Sequence, residues 1–235
     1  ATDLTSERDF ARLVPQDLAA VHTARIAFEN PTTPETLMRM QPGLTRSADL
    51  ILPDIQLDAI CYSCTAASVV IGDEAVTAAI HAARPGVPVV TPTGATRAAF
   101  RALGVQRIAI LTPYLVKTSQ PMAAYFTRHG LDVTRLHCLG MEDDREMARV
   151  SRDTIVSAAI AVDTAEAEAL FISCTALPAL GAVAEIEART GKPVVTSNQA
   201  SIWAMLRHAG LGDTIEGYGR LFSHSLPASG IGDAA

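Results

Sequence analysis

Leu57-Asp-Ala-Ile-Cys-Tyr-Ser-Cys-Thr-Ala66 lines up without gaps on Ala167-Glu-Ala-Leu-Phe-Ile-Ser-Cys-Thr-Ala176. Each copy reads acid, small residue, three mostly apolar residues, then Ser-Cys-Thr-Ala. A second pair follows at nearly the same interval: Val87-Pro-Val-Val-Thr91 and Lys192-Pro-Val-Val-Thr196. Each is followed by a helical stretch that stops at Gly104 or Gly210, glycine being the residue that ends helices in the left-handed conformation. Two units of common design, 57–104 and 167–210, are therefore expected, related by a pseudo-two-fold axis.

Outward from these repeats, short apolar runs alternate with Ala-rich helical ones. Strands are expected at Val21–Phe28, Leu57–Tyr62, Val87–Thr91, Arg107–Thr112, Leu131–Leu136, Ala167–Ile172 and Lys192–Thr196. Helices are expected at Pro34–Leu52, Ala67–Ala83, Arg97–Leu103, Val116–His129, Asp143–Val162, Leu177–Thr190 and Ser201–His208. Strands separated by helices need crossover connections, so the fold class is α/β, with two pseudo-symmetric lobes, each a parallel sheet flanked by helices. The first lobe is expected to span 1–111 plus 197–235, and the second 112–196. Ala1-Thr-Asp runs straight into a helix-like stretch, as though a preceding strand were missing.

Composition narrows the function classes. Hydrophobic residues make up 49% and aromatics only 5% of the 235 residues, which suits aliphatic helix-on-sheet packing. A net charge of −6 argues against nucleic acid as partner, since phosphates call for a basic face. No apolar run reaches the roughly 20 residues of a membrane helix, and no signal-peptide pattern precedes Ala1. With four cysteines kept reduced, the compartment is read as cytoplasmic. Apolar helix faces make a homo-oligomer plausible.

Each Ser-Cys-Thr-Ala motif is expected where a strand ends and a helix begins. Ligands collect there in parallel sheets, and the helix's free N–H groups favour a thiolate or a carboxylate. Two-fold symmetry would set Cys64 and Cys174 face to face across one cleft, each with a lowered pKa. Cys61 and Cys138 read as small buried hydrophobes. Cys61-Tyr-Ser-Cys64 matches C-x-x-C, but the second copy has Phe171 in place of the first cysteine, so redox or zinc use is disfavoured. The six histidines lack metal-ligand spacing and read as surface or helix-end residues. Asp143-Asp144 reads as a helix start, Gly217-Tyr-Gly219 as a turn, and Pro92-Thr-Gly-Ala95 as a turn or an anion-binding set of N–H groups.

Tyr62-Ser-Cys-Thr-Ala66, Thr91-Pro-Thr-Gly-Ala95, Leu111-Thr-Pro-Tyr114 and Ile172-Ser-Cys-Thr-Ala176 together resemble the aspartate/glutamate racemase superfamily. The likeness is to its branch of maleate cis-trans isomerases, arylmalonate decarboxylases and the ectoine-utilisation protein A group. Ala1-Thr-Asp-Leu-Thr-Ser-Glu-Arg-Asp-Phe10 and Glu142-Asp-Asp-Arg-Glu-Met-Ala-Arg-Val150 look most like the last of these.

The resemblance implies an active site between two lobes, no cofactor, and a small carboxylate as substrate. It makes Cys64 and Cys174 the catalytic pair, one attacking or abstracting and the other handling the proton. Thr65, Ala66, Tyr114 and Thr175 would line the carboxylate pocket. Arylmalonate decarboxylases carry glycine at the first position, so Cys64 counts against decarboxylation. Asp144, and the opening loop Asp3-Leu-Thr-Ser6, stand where maleate isomerases have asparagine. Both changes favour a substrate with an amino or amide group. Three readings follow: a two-cysteine isomerase or racemase acting beside a carboxylate, with ectoine catabolism as a candidate setting; a maleate cis-trans isomerase or an arylmalonate-type decarboxylase using Cys174 alone; and a binder without catalysis.

Overall fold

The computed structural model describes residues 1–228 and 230–231. The chain opens with helices α1 (Ser6–Leu13), α2 (Pro34–Met38) and α3 (Leu44–Asp49). Strand β1 (Ile60–Cys61) then leads to α4 (Thr65–Ile71) and α5 (Asp73–His81), and β2 (Val89–Val90) to α6 (Pro92–Leu103). The second half runs β3 (Arg107–Tyr114), α7 (Val116–Arg128), β4 (Asp132–Met141), α8 (Asp144–Met147), α9 (Arg152–Val162), β5 (Ala169–Ile172), α10 (Val183–Thr190), β6 (Val194–Thr196) and α11 (Ser197–His208). Strands β1 and β2 pair in parallel as one sheet; the other has the order β4-β3-β5-β6, also all parallel. This is the two-lobed α/β architecture the repeats call for.

A parallel sheet covered on both faces needs strands apolar throughout, and Ala169-Leu-Phe-Ile172 is buried at every position. Phe171 meets Phe100 of α6 and Phe126 of α7 edge to face, with ring centroids 6.4 and 5.2 Å away. Helix α6 begins where it does because Thr91 Oγ1 accepts the Gly94 N–H at 3.1 Å and Pro92 occupies the first turn. It stops at Gly104, whose φ of +69° costs glycine little. Its repeat mate α11 starts with a capping box, Thr196 and Gln199 exchanging side-chain and backbone hydrogen bonds. The two equivalent helices pack on each other, so the duplicated units meet at the molecule's middle.

Several expected elements differ. Residues 21–28 form no strand and Val21 is exposed: β-branched side chains give propensity, but no strand among the described residues lies alongside to complete a ladder. The expected helix Pro34–Leu52 is broken by a 3₁₀ turn at Gln41–Gly43, where Pro42 lacks an N–H and Gly43 weakens helix propagation. Helix Ala67–Ala83 divides at Gly72, φ +93°. Asp143–Val162 divides because Ser151 Oγ accepts from Thr154 N and caps a new helix. Helix α6 begins at Pro92 rather than Arg97, and α11 at Ser197 rather than Ser201. The first-sheet strands are shorter than expected and β4 longer. Strand β3 joins the second sheet from Arg107, ahead of the expected lobe change at 112. Among the described residues no helix is long and apolar enough to cross a membrane.

Candidate active site

The two Ser-Cys-Thr-Ala motifs end strands of different sheets and are tied together by one hydroxyl. Ser197, fully buried at the start of α11, accepts the Thr65 Oγ1–H at 2.8 Å and the Cys174 N–H at 3.0 Å. Thr175 Oγ1 reaches the Ser63 carbonyl at 3.5 Å, joining the motifs a second time. The segment leading into α1 makes a third link. Thr5 Oγ1 donates to the Ala176 carbonyl at 2.6 Å, while Ser6 Oγ lies 3.0 Å from Ser63 Oγ. Cys64 and Cys174 are both close enough to the buried Tyr114 phenol to oppose its ionisation.

Cys64 sits as expected. It is the extended residue at the start of α4, and the nearby Ala67 N–H favours its thiolate without forming a cap hydrogen bond. Cys174 does not precede a helix. Pro178 disfavours helical geometry at the residue before it, and after the 3₁₀ turn Leu180–Ala182 the helix α10 begins only at Val183. Instead Cys174 takes φ +99°, a left-handed conformation costly for any side chain. Around this tight bend the Tyr114 hydroxyl, and then the Ala176 and Leu177 N–H groups, favour the Cys174 thiolate. Met147 Sδ lies 3.9 Å from the same sulfur. A bend thus supplies what the sequence had assigned to a helix terminus.

The expected lowered thiol pKa is corrected. Burial pushes Cys64 up to about 11, outweighing the Ala67 N–H, which favours the thiolate. Burial pushes Cys174 up to about 12 against the Tyr114 hydroxyl and the two amides. Burial likewise raises Cys61 to about 12, but Cys61 is half-buried and lines a cavity along the free edge of β1, so it is less enclosed than the small buried hydrophobe expected. Cys138 lies half-buried on the edge strand β4 rather than in the core.

The other expected residues fall around the sulfurs with different partners. Thr65 and Thr175 are buried and spend their hydroxyls on the links above; Ala66 is buried in the first turn of α4. Asp3 accepts from the Thr5 and Ser6 N–H groups at 2.7 and 2.9 Å and from Ser6 Oγ at 2.7 Å, and its charge opposes ionisation of both thiols. Asp144 accepts from Asn30 Nδ2 at 3.0 Å and from the Thr2 hydroxyl, and it too disfavours the Cys64 thiolate. Asp143 is the N-cap of α8, its carboxylate taking the Arg145 N–H at 2.9 Å, so the acidic pair does start a helix. Pro92-Thr-Gly-Ala95 is the first turn of α6, its Gly94 N–H already taken by Thr91.

Sequence reasoning missed Ser197, Asn198, Ser6 and Asn30. Ser197 and Asn198 stand directly after the repeated Pro-Val-Val-Thr, a polar pair opening a helix, and that position was the available signal. A cavity of about 750 Å³ runs along the free edge of β1; it touches Asp3, Ser6 and Ser63 but neither Cys64 nor Cys174.

Known proteins resemble this chain in sequence and in fold. The family model for arylmalonate decarboxylase matches residues 58–222. The arylmalonate decarboxylase of Bordetella bronchiseptica is 36% identical over 143 residues, 60% of this chain and 60% of that enzyme. The maleate isomerase of Geobacillus stearothermophilus is 26% identical over 89% of this chain and 86% of its own length. Among solved structures, the Nocardia farcinica maleate cis-trans isomerase with a covalently bound succinylcysteine intermediate superposes with a TM-score of 0.86, at 26% identity and 94% coverage of both chains. The duplicated cysteine motifs, the two parallel sheets and these likenesses place the chain in one lineage: it belongs to the arylmalonate decarboxylase family, in the branch of the Asp/Glu racemase superfamily that holds maleate isomerases and arylmalonate decarboxylases, and is an enzyme of isomerase or lyase type.

Proposed function

We propose that the protein is a cofactor-independent cis-trans isomerase of a small unsaturated carboxylate, with Cys64 as nucleophile and Cys174 as proton donor. One observation carries the reading: the two cysteines of the duplicated motifs both lie within electrostatic reach of Tyr114, and Ser197 ties the motifs together by taking the Thr65 hydroxyl and the Cys174 backbone N–H. Cys64 stands at the start of α4, whose Ala67 N–H favours its thiolate, and is assigned the nucleophile's part. Giving up its proton to solvent at pH 7 costs about 5 kcal/mol, at 1.36 kcal/mol for each pH unit.

The sulfur then adds to one alkene carbon. The π pair moves to the neighbouring carbon, where its charge spreads into the attached carboxylate, and the Cys174 S–H protonates that carbon. What was a double bond is now a single bond and rotates. Cys174 takes the proton back, the pair re-forms the double bond, and the Cys64 thiolate leaves with the trans acid released. A Cys174→Ser variant incubated with maleate should accumulate a succinyl adduct, and peptide mass spectrometry should find it on Cys64. No adduct, or an adduct on another residue, ends this assignment.

A second reading is favoured by Asp3 and Asp144, both within electrostatic reach of Cys64. A dianion placed about 5 Å from either carboxylate would lose about 3 kcal/mol per charge pair at an effective dielectric near 20. A substrate with an amino or amide group avoids that loss, as an intermediate of ectoine breakdown would. The same thiols would then act as a base and an acid on opposite faces of one carbon. Maleate turnover faster than deuterium exchange into amino-acid substrates would defeat this second reading.

A further inference from the structure

The peptide joining Thr175 to Ala176 is planar, so its C=O and N–H point in opposite directions and one cannot turn without the other. Its N–H is near enough to the Cys174 sulfur to favour the thiolate. Its C=O accepts the Asn198 Nδ2–H at 2.9 Å. One residue earlier in α11, Ser197 Oγ holds the Cys174 N–H. Adjacent side chains therefore grip the strained bend before and after the sulfur. The second Nδ2–H of Asn198 donates to Asp9 Oδ2 at 2.8 Å, with Asp9 almost wholly buried on α1. Both partners of Nδ2 are pure acceptors, so the amide has only one tolerable orientation. Ser6 Oγ lies 3.4 Å from its Oδ1 on the other side. The charged groups facing Asp9 are Arg12 on its own helix, 3.9 Å away, and Asp3 before it.

We propose that Asn198 is a positioning residue for Cys174, holding the 175–176 peptide with its N–H near the sulfur, and that Asp9 locks the Asn198 amide in the orientation this requires. The proposal rests on Cys174 being a working thiol, but its test does not need a substrate. Iodoacetamide alkylation of Cys174 is followed against pH by peptide mass spectrometry, with Cys64 in the same sample as reference and thermal melting to show that each variant is folded. Asn198→Ala should slow alkylation of Cys174 about tenfold at pH 8.5 and raise its apparent thiol pKa by about one unit, with Cys64 within twofold of the parent. Asp9→Ala should act in the same direction, about threefold, and Asp9→Asn, which keeps an acceptor, should restore the parent rate. If Asn198→Ala fails to fold, the Asp9 pair decides. An unchanged Cys174 rate, or equal slowing of both cysteines, overturns the proposal. Loss of maleate turnover with these labelling shifts intact would count against the proposed reaction and leave this inference standing.

Discussion

Cys64 and Cys174 are neutral at pH 7 because burial penalises each thiolate more than its donors reward it, the Ala67 N–H for Cys64 and the Tyr114 hydroxyl with the Ala176 and Leu177 N–H groups for Cys174. The rate should therefore climb with pH, approaching tenfold per unit between pH 7 and 9, as the Cys64 thiolate fraction grows; a flat kcat/KM profile over that range would contradict the assignment. Replacing either sulfur by the alanine methyl should cost at least about a thousandfold in turnover, measured by steady-state kinetics at saturating substrate. Asp9 behaves in the opposite sense from an ion-paired carboxylate. Burial raises its pKa from 3.8 to about 6, so the folded chain holds a proton that the unfolded chain has released. Its contribution makes the fold more stable as pH falls from about 7 to about 4, by up to about 3 kcal/mol. Asp9→Asn should lack that gain, and denaturant titrations at the two pH values would show whether it does.

Among the elements, capping chemistry did much of the positioning. Thr91 and Thr196 occupy equivalent places in the two repeats and start α6 and α11. Thr91→Ala should cost about 1 kcal/mol, read by urea denaturation. Thr196→Ala should cost a similar amount in stability and also disturb Ser197 and Cys174, because the cap sets where α11 begins. These starts were legible in part: the Pro-Val-Val-Thr repeat placed the strands, while the helices start four to five residues earlier than expected, Pro92-Thr-Gly-Ala95 having read as a turn. Val21–Phe28 and the run after Cys174 were misread for a shared reason. Propensity and pattern describe a segment alone, whereas a strand needs a neighbour and a helix needs freedom from an ill-placed proline.

At the scale of the whole molecule, the duplication made the architecture readable before any coordinate. Apolar blocks with identical internal order can bury themselves only as repeated parallel units. What pattern could not supply was the polar network that ties the repeats to each other and to α1: Ser197 to Thr65 and Cys174, Asn198 to Asp9, Ser6 to Ser63. Each joins residues far apart in the chain, and serine or asparagine at a helix start is common enough to look like capping alone. Phe171 marks the mechanical centre, with α6 on one side and α7 on the other. Phe171→Ala should remove about 3–5 kcal/mol, enough to lower the melting temperature by about ten degrees or more in a thermal scan, while leaving both thiol environments chemically intact.

The left-handed backbone at Cys174 sets the protein's robustness against its chemistry. Glycine would rest there without the clash between side chain and backbone that any other residue endures, so Cys174→Gly should melt higher than Cys174→Ala although both lack the thiol. A chain optimised for endurance alone would discard the sulfur at this turn. That it carries one means the molecule accepts a standing mechanical tension at a single residue as the condition of having a reactive group there at all.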